Sequence, residues 1–389
     1  MKKDDISVIA VSASHGIMHA YLVLLPALIP LLKGELGNLE TIGLLSTIVT
    51  FFYGWGSLPV GFISDRVSKK TLITASMLLC GLSAIMISVS YDIIFTGLGF
   101  VMLGIGASLY HPCGYAHMAL LSDDLRGRYM GIQGLGGDLG MAISFLTTTI
   151  LGEVLGWRNA FIAWGLFGII MAFVDRMVII DASGPVDSHA GRLGFVDTIR
   201  KMFETDQLRN LLLVFIIVII SGALWSGVST YILKYINDEK SVGLLIAGGL
   251  STLKYTVGAF AQVIGGELSD RMGRKIMLIF GFGAFTLSLL ALTVAPGDLV
   301  VMFILVAVMG FTFFITQAPM NALLGDVSHK DTVGVTYGVN FAIKYGIGSF
   351  APAAAGFLAA AYGMDYVFYF FALLSALGLG VSLLISEKQ

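Results

Sequence analysis

Charge is scarce in this chain. Only 12% of its 389 residues are Asp, Glu, Lys or Arg, while 57% are hydrophobic; a soluble domain carries about a quarter charged residues. The formal net charge is -2, with 23 basic and 25 acidic residues. That balance offers no basic excess for a nucleic-acid partner. Cysteine is almost absent: Cys80 and Cys113 lie in separate apolar stretches and imply no disulfide framework. Proline is sparse, with eight residues against 48 glycines. No phosphate loop is present, because Gly134-Leu-Gly136-Gly137 is not followed by Lys-Ser/Thr. Direct driving by ATP is therefore excluded. No nucleophile–base constellation is visible, so neither an enzyme nor a bound cofactor is expected.

What the chain does have is long apolar runs. About 20 mostly apolar residues cross a bilayer as a helix. Runs of that kind fall near 7–32, 41–63, 71–90, 93–120, 129–152 and 158–180. A second set falls near 208–234, 241–266, 276–295, 299–324, 333–360 and 366–385. The first run follows Lys2 and Lys3 without a small-residue cleavage site, so it reads as a membrane helix and not a signal peptide. Turn signals such as Gly37-Asn38, Pro296-Gly297-Asp298 and Gly363-Met364-Asp365 separate neighbouring runs. One long polar stretch, 182–207, divides the chain into an N-terminal unit, 1–181, and a C-terminal unit, 208–389. The fold class expected is all-α, with twelve transmembrane helices.

Lys and Arg set the orientation. One side collects Lys2, Lys3, Arg66, Lys69, Lys70, Arg126, Arg128, Arg176, Arg271, Arg274 and Lys275; the other has only Lys33, Arg158, Lys234 and Lys240. Both termini and the linker are thus expected in the cytoplasm, with the protein in the inner membrane.

A repeat is embedded in this pattern. Gly61-Phe-Ile-Ser-Asp65-Arg66-Val-Ser-Lys69-Lys70 follows the second span, and Gly266-Glu-Leu-Ser-Asp270-Arg271-Met-Gly273-Arg274-Lys275 follows the eighth. They align without gaps. Both resemble the loop motif of the major facilitator superfamily, Gly-x-Leu-Ala-Asp-Arg-x-Gly-Arg-Lys, with Ser68 and Lys69 departing from it in the first copy. The resemblance covers the whole chain. It implies two pseudo-symmetric six-helix bundles around a central cavity, alternating access by rocking, and a monomer. It also implies a gating role for Asp65, Arg66, Asp270 and Arg271, away from substrate. Narrower stretches resemble the fosmidomycin-resistance branch, a group of proton-linked exporters. These are Ser12-Ala-Ser-His15, Gly104-Ile-Gly106-Ala-Ser-Leu-Tyr110-His111-Pro112 and Gly136-Gly137-Asp138-Leu-Gly140. Asp138 and His19 depart from that branch.

Ionisable groups within spans are costly and mark function. Lys254 and Lys344, in spans 8 and 11, resemble the paired basic residues of the oxalate-carrier branch. They are the leading substrate-binding candidates, with Asn340, Tyr255, Gln317 and Asn321 as polar neighbours. Two buried ammonium groups call for an anion, either a cargo carboxylate or phosphonate or the side chain of Asp138. His15, His19 and His111, which titrate near neutral pH, and Asp138 are the candidate proton carriers. The glycines of spans 5 and 11 read as mechanical, allowing the bundles to approach and rock. A secondary transporter of a small organic anion, coupled to protons or to exchange, is the expectation. The alternatives are a proton-driven drug exporter and a transition-metal transporter using His15, His19, His111, Cys113 and Asp138. No metal site is expected, because no compact ligand spacing appears within any one helix beyond His15 and His19. A receptor on the same fold is disfavoured by the short termini.

Overall fold

The computed structural model describes residues 3–32, 34–64, 66–121, 125–181, 195–329 and 332–386. Every regular element among them is a helix, with no strand. Hydrocarbon offers no partner for an open N–H or C=O, so each crossing must satisfy its backbone internally.

In the N-terminal half the crossings are Lys3–Leu28 (span 1), Leu39–Ser64 (span 2) and Lys69–Val89 (span 3). Span 4 runs Ile93–Ser108 and on through Tyr110–Leu121; Arg126–Leu155 is span 5 and Trp157–Val178 span 6. In the C-terminal half Leu208–Asp238, Leu244–Met272 and Arg274–Val294 are spans 7 to 9. Span 10 runs Leu299–Phe314 and then Gln317–Val327, and span 12 is Met364–Leu384. Eleven crossings are continuous runs long and apolar enough to traverse a bilayer. Span 11 is built differently. It comprises Val333–Ala342, a π-helical turn at Ile343–Ile347, and Phe350–Tyr362. Within the stretch expected to be a polar linker, the described part holds a short helix, Phe195–Met202. Asp187, His189 and Arg192 lie outside the described residues.

The two halves repeat one another in detail. Asp92 opens span 4 by accepting from the N–H groups of Ile94 (2.9 Å) and Phe95 (3.0 Å). Asp298 does the same for span 10, at 3.0 Å to both Val300 and Val301. Such caps satisfy amides the helix cannot. Spans 1 and 5 touch backbone to backbone at Gly16 and Gly140, and spans 7 and 11 do so at Gly222 and Gly348. Small residues are what permit this approach. A Cβ on Gly140 would run into the main chain of Gly16. Gly140→Ala is accordingly expected to cost roughly 1–3 kcal/mol through overpacking. Thermal melting in detergent measures it, and an unchanged midpoint would contradict the contact.

The halves meet at one end and part at the other. At the end away from the termini, the Thr47 hydroxyl of span 2 donates to the carbonyl of Ser349 in span 11 (2.7 Å). The Tyr231 hydroxyl of span 7 donates to Pro352 O of span 11 (2.9 Å) and also lies 3.3 Å from the acceptor Leu39 O of span 2. Nearby, Gly43 and Gly54 lie against the span 11 backbone. Toward the terminus-bearing end, a Cβ on Gly61, Gly131, Gly134 or Gly338 would meet nothing within 4 Å. The molecule is closed on one face and open on the face that carries its ends. The span 5 glycines therefore divide, contrary to the single role expected of them. Gly136, Gly137 and Gly140 pack on span 1 within their own half, while Gly134 lines the opening and a Cβ on Gly131 would meet nothing within 4 Å.

Cations on the closed face are absorbed locally. Arg158 donates to the carbonyls of Ser88 (2.8 Å) and Ser90 (2.6 Å) at the end of span 3. Lys240 does the same for Thr293 (2.8 Å) and Ala295 (3.1 Å) at the end of span 9. Both satisfy carbonyls that a helix C-terminus leaves unpaired.

Candidate transport cavity

The space between the halves is a cavity of about 790 Å³, within the size range of small-molecule sites. Spans 1, 2, 4 and 5 form one wall and spans 7, 8, 10 and 11 the other.

The C-terminal wall centres on Lys344. It lies in the π turn of span 11, and Gly348 N–H closes that turn on Ile343 O (3.2 Å). Such turns are uncommon and often mark functional sites. Lys344 Nζ donates to Gln317 Oε1 at 2.8 Å. The Gln317 amide is itself oriented, since its Nε2 donates to Ser221 Oγ (3.2 Å) and Thr316 Oγ1 (3.1 Å). Among the described residues Lys344 has no ion-pair partner. Asn340, one turn earlier, lines the same wall, and its buried Oδ1 has no partner. Asn321 and Tyr255 also face the cavity.

Lys254 sits elsewhere. It is buried behind Tyr255, with its ammonium 4.4 Å above that ring and 3.4 Å from Ser229 Oγ, to which it donates. It does not line the cavity. The two lysines thus belong to different layers of the wall.

On the N-terminal wall three histidines converge. His15 and His19 are one turn apart on span 1, and their Nε2 atoms are 3.0 Å apart. The His111 ring, from span 4, lies 4.9 Å from the His15 ring centre and 5.3 Å from that of His19. His15 Nδ1 is held at 2.7 Å by the backbone carbonyl of Gln133. Asp138 lines the same wall, and no lysine lies within ion-pair distance of it among the described residues. Tyr115 stacks on His111 with ring centres 5.7 Å apart, and Phe341 reaches across from span 11 to 5.0 Å.

Tyr115, Phe341 and Asp175 had no place among the sequence candidates. Asp175 is fully buried in span 6; one oxygen accepts from Ser14 Oγ (2.8 Å) and the other has no partner. The signal for it was simply a carboxylate inside an apolar run.

At the repeat loops, Asp65 lies outside the described residues, and Arg66 is exposed. In the second copy Arg274 donates to Asp270 Oδ1 (3.1 Å) and to Asp326 Oδ2 (2.5 Å) at the end of span 10, while Arg271 pairs with Glu267. These ties stay within one half. The loops also reach the segment just past the sixth helix of their own half: Ser68 donates to Asp181 (2.8 Å), and Lys275 to Ile385 O (2.7 Å). Arg274→Gln is expected to lower stability by less than about 1 kcal/mol, since the pairs are solvent-exposed. A melt shifted by several kcal/mol would mean the cluster is part of the folded core.

A model of the Major Facilitator Superfamily matches residues 10–352 and 211–389. The chain belongs to the major facilitator superfamily. It is a multi-pass membrane transporter, as the repeat loops implied. Among the superfamily relatives is an uncharacterized MFS-type transporter of Methanocaldococcus jannaschii, 27% identical over 87% of this chain and 86% of its own length. A probable L-galactonate transporter of Escherichia coli is 24% identical over 66% of this chain and 62% of its own. The cis,cis-muconate transport protein of Acinetobacter baylyi is 22% identical over 92% and 86%. A bacterial homologue of the human lysosomal transporter Spinster, solved inward-facing and unoccupied, shares the fold. Its TM-score is 0.83 at 14% identity, over 99% of this chain and 97% of that one.

Proposed function

We propose that this superfamily member moves a small organic anion, of carboxylate or phosphonate type, by alternating access. The supporting observation is Lys344. Its ammonium stands in the cavity wall on an oriented amide, without a countercharge among the described residues. A cation away from bulk water is stabilised by an anion that reaches it, and the cargo is the group that comes and goes. Asn340, Gln317 and Asn321 supply amides around the same point. Galactonate and muconate, named for two relatives, are carboxylates and agree with this reading.

Asp138, His15, His19 and His111 on the opposite wall are the groups suited to couple transport to protons; exchange against a second anion is the other mode the cavity serves. Lys254, behind Tyr255, acts through that ring and Ser229 and not by direct contact. Asp65, Arg66, Asp270 and Arg271 belong to conformational control. The halves are taken as 1–181 and 208–389, joined by 182–207, with both termini cytoplasmic in the inner membrane and the protein monomeric. In that orientation the open face looks inward.

Charge movement and uptake in proteoliposomes test the reading, with a panel of carboxylates, phosphonates, sulfonates, divalent metals and cationic drugs. Signals from an anion class that vanish in Lys344→Ala are expected. Signals confined to cationic drugs would overturn the proposal and leave Asp138 as the recognition group.

A further inference from the structure

We infer that His15, His19 and His111 form a binding site for one first-row transition-metal dication of the Zn²⁺ class, on the N-terminal wall of the cavity. The proposal concerns that wall alone and is independent of the organic cargo.

Three imidazoles from two spans each offer a ring nitrogen, and these nitrogens lie within 4.8 Å of one another. Zinc–imidazole bonds are about 2.0–2.1 Å, which in a tetrahedral site sets the nitrogens roughly 3.3 Å apart. His15 and His19 already meet that spacing at 3.0 Å. The remaining nitrogen must close the rest of the distance by rotation of the His111 ring, whose buried Nδ1 has no hydrogen bond to break.

The second shell is also in place. His15 Nδ1 lies 2.7 Å from the Gln133 carbonyl, an acceptor only, so the proton sits on Nδ1 and Nε2 presents its lone pair to the other two rings. Orientation of a ligating histidine through its far nitrogen by a backbone carbonyl is a regular feature of metal sites. Without a metal, His15 and His19 share one proton between their Nε2 atoms. A dication takes that proton's place, and His19 then carries its proton on Nδ1, which is now without a partner.

Ligand type fits the same class. Neutral imidazole suits zinc, copper, nickel and iron, whereas calcium and magnesium require oxygen ligands. All three histidines line the open cavity, so the ion has a path in. Three protein ligands leave the remaining position facing the cavity, the arrangement of open rather than structural zinc sites. Tyr53, Tyr115 and Phe341 surround His111, with ring centres 5.0–5.7 Å away, and keep bulk water from its other faces.

The test is calorimetric titration of the purified full-length protein, tag removed, with ZnCl₂ alone at neutral pH. One site per chain is expected. His15→Ala and His111→Ala are each expected to weaken it by at least about tenfold. His117→Ala serves as control: that histidine is buried against Ser7 outside the cavity, and its removal should leave the affinity unchanged. The visible spectrum of the Co²⁺-loaded wild type provides a readout that needs no variant. Intense d–d bands of a low-coordinate nitrogen site support the assignment; the weak spectrum of the hydrated ion, or zinc binding indifferent to His15 and His111, overturns it.

Discussion

Lys344→Ala is expected to abolish anion transport while leaving the protein folded. Removing one partner of a desolvated charge pair costs about 2–5 kcal/mol, and 3 kcal/mol is roughly a hundredfold in binding. Initial uptake in proteoliposomes should fall by about that factor or more. The fold should survive, because the side chain bonds only to Gln317. The main chain at this position is fixed independently, with the Lys344 carbonyl packed against Gly222. Lys344→Arg keeps the charge, but its planar fork is not interchangeable with a compact ammonium, so partial activity is expected. Wild-type uptake by Lys344→Ala would remove the basis for an anionic cargo.

The second large effect is expected from Gly43→Leu. A side chain there has nowhere to go in the observed state: its Cβ would press on the Pro352 carbonyl and lie 2.7 Å from the Tyr231 hydroxyl. Both belong to the C-terminal half, so the added atoms push the halves apart at the closed face. A conformation open on that face relieves the contact, and the equilibrium moves toward it. Transport should drop to background, because one step of the cycle is blocked. The population shift is visible directly. Cysteines placed at Gly134 or Gly338, where nothing lies within 4 Å, report access from the open face. Their labelling by a polar maleimide should fall strongly in the Gly43→Leu background; Cys80 and Cys113 are buried and contribute little. Undiminished labelling with normal uptake would mean the closed face yields locally and does not gate.

The expected spans and the observed ones agree to within a few residues at most ends, because apolar run length is set by bilayer thickness. Asp92 and Asp298, or Gly363 with its φ of +97°, end and start helices where their local chemistry says they should. Depth was equally legible: Lys344, Asp138 and the histidines all reach the cavity. Facing was not. Lys254 and Lys344 are alike in sequence, yet one lines the cavity and the other stands behind Tyr255. In a span that is apolar all round, periodicity does not separate the cavity side from a neighbouring helix. The grouping of His111 with His15 and His19 was legible from their common depth, though not the geometry of their contact. The pair on span 1 follows from four-residue spacing, but the third ring arrives through the crossing of spans 1 and 4. Asp175 was obscured by position, near a helix end where charge is ordinary.

The π turn at Ile343–Ile347 contains no proline, and nothing in its composition announces it. It accommodates about one residue more per turn than an α-helix, so the helical phase slips by roughly 100° across it. Val333–Ala342 and Phe350–Tyr362 consequently do not share one wheel. A single helical projection drawn through span 11 would assign the wrong stripe to the cavity on one side of Lys344. Mutational scans along this span are read correctly only when the two segments are indexed separately.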